Sequence, residues 1–170
     1  MTLAPTLNTE RLILRAPQMA DFDAFAAHCA SDRASFATGP LDRAQSWREF
    51  ASAAGQWVLS GFGAWSITDK DTHAYLGEVV IMQPAEFPEV ELGWTLMAGA
   101  EGKGFAYEAA LAARDWAFDA GGLPTLVSYI KPDNARSVAL AERLGAARDM
   151  NAAGPSVSDL VYRHPNGSAT

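Results

Sequence analysis

The sequence is poor in the residues from which several common kinds of site are built. It has one cysteine, Cys29, so no disulfide can form within the chain, which suits a reducing compartment and points to the cytoplasm. Its histidines, His28, His73 and His164, lie far apart, and no cluster has metal-ligand spacing, so no metal is expected. His28 and Cys29 are adjacent and on a helix face different directions, which argues against a Cys–His nucleophile pair. No run approaches about 18 uninterrupted apolar residues, and no membrane span is expected. The first residues lack the basic start and apolar run of a secretory signal. Basic residues are also short: 13 Lys and Arg face 20 Asp and Glu, a net charge of −7. That balance suits a cationic substrate better than a nucleic acid, whose phosphates call for a basic face. Two phosphate loops are missing as well. Tyr107 stands where G-x-G-x-x-G/A needs a small residue after Gly102 and Gly104, and no G-x-x-x-x-G-K-S/T run occurs. Both absences count against a nucleotide-binding protein.

What is present is a globular chain, 49% hydrophobic and 19% charged over 170 residues, enough for one domain with its own core. Residues 1–8 and 164–170 read as loose ends. Residues 11–15 form a first strand, followed by amphipathic helices over 19–30 and 44–59. In the second helix Trp47, Phe50, Ala54 and Trp57 share a side. The period then changes to two. Strands are predicted over 63–68, 74–83 and 89–97, the first two joined by a turn at Asp69-Lys70-Asp71. A glycine-rich turn over 98–104 leads into a long helix whose stripe is Phe105, Ala109, Ala112, Trp116 and Ala120. A strand over 126–130, a helix over 135–144 opened by Asn134 and closed by Gly145, and a strand over 157–162 complete a mixed α/β (α+β) domain around one largely antiparallel sheet.

Chemistry concentrates at two strand-to-helix turns. In the first, Gly102-Lys103-Gly104-Phe105-Ala106 opens the long helix. The first N–H groups of a helix have no partner within it and point out from its positive end, and small residues let a phosphate approach that backbone. Lys103 adds a cation. A plain turn that needs glycine conformations is the competing reading. In the second, Asn134 and Ser137 begin the next helix as cap and first-turn residues. If the two strands are neighbours, both helix starts lie at one sheet edge.

The chain resembles the GNAT superfamily of N-acetyltransferases, and most of all its ribosomal-protein N-terminal (RimJ/RimL-type) branch. The markers are Arg11-Leu12-Ile13-Leu14-Arg15, Glu91-Leu92-Gly93-Trp94-Thr95-Leu96, Gly102 through Ala109, and Asn134-Ala135-Arg136-Ser137 through Gly145. The resemblance implies a central sheet of six to seven strands with about four flanking helices, strands four and five (89–97 and 126–130) splaying apart. It implies acetyl-CoA as co-substrate and no metal. The pantetheine arm would pair with backbone at Leu96, Met97 and Ala98 and meet Asn134, and the pyrophosphate would rest on Gly102, Lys103, Gly104, Phe105, Ala106 and Tyr107. An amine, either a protein N-terminus or a small molecule, would attack the thioester directly. Glu91 is the first candidate base and Glu78 the second. Each has a bland alternative as a solvent-facing strand residue. Phe36, Trp47 and Trp57 are candidate acceptor-wall residues, or simply core. Monomers and homodimers both fit the resemblance.

Two positions depart from the family pattern. Ala141 stands where many relatives carry a tyrosine acid, leaving Ser137 to meet the sulfur and Tyr129 as a substitute or a packing residue. Glu101 places a carboxylate near the pyrophosphate and is expected to face solvent. The missing acid keeps a second reading open, a non-catalytic acyl-CoA-binding sensor or scaffold.

Overall fold

A computed structural model describes residues 4–166. Eight strands form one sheet: β1 (Leu7–Asn8), β2 (Leu12–Arg15), β3 (Ala64–Asp69), β4 (Tyr75–Met82), β5 (Glu91–Leu96), β6 (Val127–Ile130), β7 (Ala147–Arg148) and β8 (Leu160–Arg163). Their order is β1-β2-β3-β4-β5-β6-β8-β7, antiparallel throughout except between β5 and β6. Four helices flank it: α1 (Phe22–Cys29), α2 (Arg43–Leu59), α3 (Phe105–Phe118) and α4 (Ala135–Arg143). The strands beyond the six located in the sequence are the short edge pieces β1 and β7.

Alternation assigns the two faces of the sheet. Leu12, Leu14, Trp65, Ile67, Val79, Ile81 and Leu92 are buried on one face, against Ala109, Ala110, Ala113 and Ala117 of α3. Alanines let the helix lie close to the strands. They, not the aromatics, form the contact stripe: Ala112 and Trp116 are half-buried flanks, and Ala120 is exposed. The expected stripe is therefore turned partly away from the sheet, because close approach selects small side chains over large ones. On the other face, Arg15, Ser66, Glu78 and Thr95 stand in one row across four strands. The turn before α1 covers part of this row through Asp21, which accepts from Arg15 (2.7 Å) and Ser66 (2.7 Å).

Gly77 sits at a bulge in the β3–β4 ladder with φ 150°, and a Cβ there would lie 2.1 Å from the Thr95 carbonyl oxygen. Only glycine fits. The bulge also turns Tyr75 onto the face of Glu78, opposite Thr68.

The parallel connection from β5 to β6 runs through α3, the usual crossover for parallel strands. Its register holds a single pair, Glu91 with Val127, reinforced where Val127 N–H donates to the Val90 carbonyl at 3.1 Å.

Within the described residues the ends are tied down rather than loose. Leu7–Asn8 pairs with β2, Trp65 Nε1 donates to the Pro5 carbonyl at 2.7 Å, and His164 is 4% exposed. The rest of that expectation, for residues 1–3 and 167–170, lies outside the described residues.

Trp57 also departs from its assignment to the acceptor wall. It is 3% exposed, stacks edge-on with Trp65 (4.6 Å) and Trp116 (5.3 Å), and donates from Nε1 to the Ala64 carbonyl at 2.8 Å. Trp57→Ala is expected to cost about 3–5 kcal/mol of stability, read as a drop in melting temperature, because it empties the junction of α2, β3 and α3.

Candidate active site

The glycine turn after β5 ends in Gly104, the residue before α3, at φ 82° and without a side-chain cap. A left-handed residue there turns the chain into the helix, and among the described residues no side chain caps the first-turn N–H groups. Arg11 fixes the turn from outside. Its Nη1 donates to the Lys103 carbonyl (2.9 Å), its guanidinium lies 4.8 Å over the Phe105 ring, and its backbone N–H and Nε donate to Glu108 (2.7 and 2.8 Å). Burial alone would raise the Glu108 carboxyl, but hydrogen bonds from Thr9 and Arg11 outweigh it and hold it below its ordinary value. Arg143 lies 4.7 Å over the Tyr107 ring, and Lys103 is exposed.

The second helix start meets the first. Asn134 Oδ1 accepts from the Ser137 N–H (3.2 Å) as the cap of α4, and Ser137 Oγ accepts from Trp94 Nε1 of β5 (3.3 Å). These contacts bring α4 up to β5 beside the opening between β5 and β6. At the end of β5, Met97 N–H is spent on the Leu76 carbonyl (2.8 Å), whereas the Leu96 carbonyl points to Arg33 Nη2 (3.2 Å). Arg33 comes from the short helical turn Asp32–Phe36 and also pairs with Glu101. Glu101 is thus half-buried and neutralised by Arg33, not directed to solvent, and its other oxygen accepts from Gly99 N–H (3.2 Å). From the β6 side, Lys131 Nζ donates to the Ser35 carbonyl (2.8 Å), so the turn carrying Phe36 is tied to both strands.

Both candidate bases lie on the face opposite α3. Glu91 pairs with Met82 and Glu78 with Thr95, so four residues, about 13 Å, separate them along the strands. Glu91 is 8% exposed; burial pushes its carboxyl up to about 7, Asp159 adds to this, and the Tyr129 N–H, 3.4 Å from Oε1, opposes it. Glu78 is half-buried and also reaches about 7, through burial and then through Glu49. Neither is the solvent-facing residue of the bland reading.

Around Glu78 lie groups that period counting does not place. The Tyr75 hydroxyl, which feels the Glu78 charge, is buried without a partner among the described residues. The Cys29 thiol is raised to about 11 by burial and by Glu78, too high for a nucleophile at neutral pH. Tyr75 escapes alternation because the bulge at Gly77 switches its face.

The remaining expectations separate cleanly. Ala141 is fully buried with Ile130, Ala146 and Tyr162, so the missing tyrosine is replaced by core. The Tyr129 hydroxyl accepts from the Glu89 N–H (3.0 Å), and its ring packs on Phe87, which makes it an anchor for the loop before β5. Phe36 is 44% exposed beside the tied turn. Trp47 is equally exposed, with its ring against Phe22 (5.2 Å) and Phe50 (6.5 Å) of the helical pair. No helix among the described residues is long and apolar enough to cross a membrane.

A sheet that parts after one parallel pair, with a glycine turn and a capped helix start on either side of the parting, is the layout of an acetyltransferase domain. The chain belongs to the GNAT acetyltransferase family: residues 11–147 match the acetyltransferase (GNAT) domain. An acetyltransferase from Agrobacterium tumefaciens str. C58 is 46% identical and superposes with a TM-score of 0.92 over 95% of both chains. RimL, a ribosomal L7/L12 alpha-N-protein acetyltransferase solved with coenzyme A, shares the fold at 15% identity, with a TM-score of 0.74 over 94% of this chain and 97% of its own. The uncharacterized protein YkkB of Bacillus subtilis (strain 168) is 31% identical over 87 residues, 50% of this chain and 51% of YkkB, so the chain spans about half the length of this curated relative.

The raised Glu91 carboxyl has a consequence for stability. A folded-state value above the unfolded one contributes stability that is full below about 4.5 and lost as pH rises through about 7. Glu91→Gln, which keeps an acceptor for Tyr129, is therefore expected to raise the melting temperature by roughly 5 °C at pH 8 and to leave it unchanged near pH 4. Scanning calorimetry at both pH values reads the difference.

Proposed function

We propose that this chain transfers an acetyl group from acetyl-CoA to a primary amine by direct attack on the thioester. The observation that carries the reading is the pair of helix starts at the β5–β6 opening, with no side chain among the described residues capping the first-turn N–H groups of α3 behind Gly104. The residues fit the coenzyme. The turn Gly102 to Tyr107 offers N–H donors to phosphate, flanked by Lys103. The Leu96 carbonyl and the amide group of Asn134, on the two sides of the opening, suit the amides of a pantetheine arm. The coenzyme supplies an activated acyl thioester when bound.

The chain's own groups handle the protons. An amine is mostly ammonium at neutral pH and must lose a proton before it attacks. We assign Glu78 as the base, reversing the order suggested by the sequence. Glu78 is half-buried, has no hydrogen-bond partner among the described residues, and stands opposite Thr95 at the open end of β5, whereas Glu91 is committed to the Tyr129 N–H. A carboxylate with a value of about 7 is matched to neutral pH, ionised enough to accept yet basic enough to pull. Ser137 already accepts from Trp94 Nε1, which leaves its own hydrogen free to donate to the departing sulfur. The acidic surroundings of Glu78, with Glu49 close by, favour a cationic acceptor.

Glu78→Gln is expected to lower kcat/KM by about 10²-fold or more and to remove the rise in rate as pH passes about 7. Glu91→Gln should keep that rise. Steady-state rates from pH 5.5 to 9 separate the two.

The buried Ala141, which leaves no tyrosine acid on α4, favours one alternative, an acyl-CoA sensor without turnover. Calorimetry with acetyl-CoA, followed by thiol release against a panel of small amines and N-terminal peptides, decides between them. Binding with amine-dependent release supports the transferase. Binding without release from any acceptor supports the sensor, and no binding defeats both.

A further inference from the structure

Where β5 and β6 part, two backbone groups lose the partners that a continuing ladder would give them. In a regular parallel pair the step after Val127 N–H to Val90 carbonyl would be Tyr129 N–H to Leu92 carbonyl. That bond is not formed. Ser128 Oγ donates to the Leu92 carbonyl instead, at 2.6 Å, and the Tyr129 N–H turns to the Glu91 side chain at 3.4 Å. Ser128 Oγ also lies 2.9 Å from His164 Nε2. A serine hydroxyl has one hydrogen, and at Ser128 it goes to Leu92, so His164 must be the donor, carrying its proton on Nε2. His164 is held in turn by its backbone N–H, which donates to the Leu126 carbonyl at 2.9 Å, and Ser128 and His164 are 2% and 4% exposed.

We propose that Ser128 and His164 form a clasp that keeps β5 and β6 apart, His164 acting as a positioning residue that fixes the Ser128 hydroxyl on the Leu92 carbonyl so that the ladder cannot close over the coenzyme seat. The proposal rests on the reading of that opening as the place of the pantetheine arm. The clasp satisfies a buried carbonyl that would otherwise recruit the Tyr129 N–H, since an unpaired buried group is costly. Its only claim on the backbone of the opening is the Leu92 carbonyl, so the donors and acceptors further along stay available to a ligand.

The test uses the full chain with Ser128→Ala, His164→Leu and His164→Gln, the last of which keeps an N–H donor near the Nε2 position. Two quantities are read: amide exchange at Tyr129 by NMR without coenzyme, and affinity for coenzyme A by calorimetry. Ser128→Ala and His164→Leu are expected to slow Tyr129 exchange and to weaken coenzyme binding by about tenfold, with KM for acetyl-CoA rising while kcat at saturation changes little. His164→Gln should stay close to wild type in both readouts. Tyr129 exchange in Ser128→Ala at or above the wild-type rate overturns the clasp, as does equal loss of affinity in His164→Gln and His164→Leu. Where His164→Leu does not fold, the Ser128→Ala and His164→Gln readings decide. Failure of the wild-type protein to bind coenzyme A would instead overturn the coenzyme reading, and the exchange rate at Tyr129 would still decide the clasp.

Discussion

The structure turns on one hydrogen-bonding constraint: two neighbouring parallel strands must stop pairing without leaving buried backbone groups unsatisfied. Parallel strands ordinarily pair along their length, and each lost bond in a dry interior costs about 1–3 kcal/mol. Here β5 and β6 pair once, at Glu91 and Val127, and side chains take over from there. The Ser128 hydroxyl takes the Leu92 carbonyl, Glu91 takes the Tyr129 N–H, and Trp94 reaches across to Ser137 on α4. The opening that results lies between the starts of α3 and α4, where helix geometry leaves backbone N–H groups over.

An acidic chain can still gather basic side chains in one place, because charge acts locally. Its net charge is −7, yet Arg11, Arg33, Lys131 and Arg143 gather around the turn and the strand ends. Some of this charge is structural. Arg11 shapes the turn through Lys103 and Glu108, and Arg33 neutralises Glu101. Around Glu78 the balance is reversed. Glu78 and Glu49 sit near the buried Tyr75 and Cys29 under the α1–α2 pair.

Much of this was legible in the chain because the signals are local. Gly102 and Gly104 between a strand and a helix, Asn134 three residues before Ser137, and the alternation of Leu12, Leu14, Trp65 and Ile67 each follow from backbone geometry over a few residues. Hydrophobic period ranked the helix faces less well. Trp47 and Trp57 share a predicted side of α2, yet Trp57 is core and Trp47 is half-exposed, because only the C-terminal end of α2 reaches the tryptophan cluster. In α3 the alanines displaced the aromatics from the contact stripe for the same reason: packing selects by volume at a given distance, and that distance is set by the sheet.

The sequence by itself determined the order of elements, the family, the glycine turn and the helix cap, since these depend on residues adjacent in the chain. Only the tertiary structure decided that Glu91 meets the Tyr129 N–H, that Tyr75 shares a face with Glu78, that Arg33 meets Glu101, and that His164 in the supposed tail backs Ser128. Each of these pairs residues 3 to 68 positions apart in the chain, through a bulge, a crossover or a strand insertion. Burial and desolvation, which move a carboxyl from its ordinary value to about 7, are properties of a closed interior and exist only once those distant segments have met.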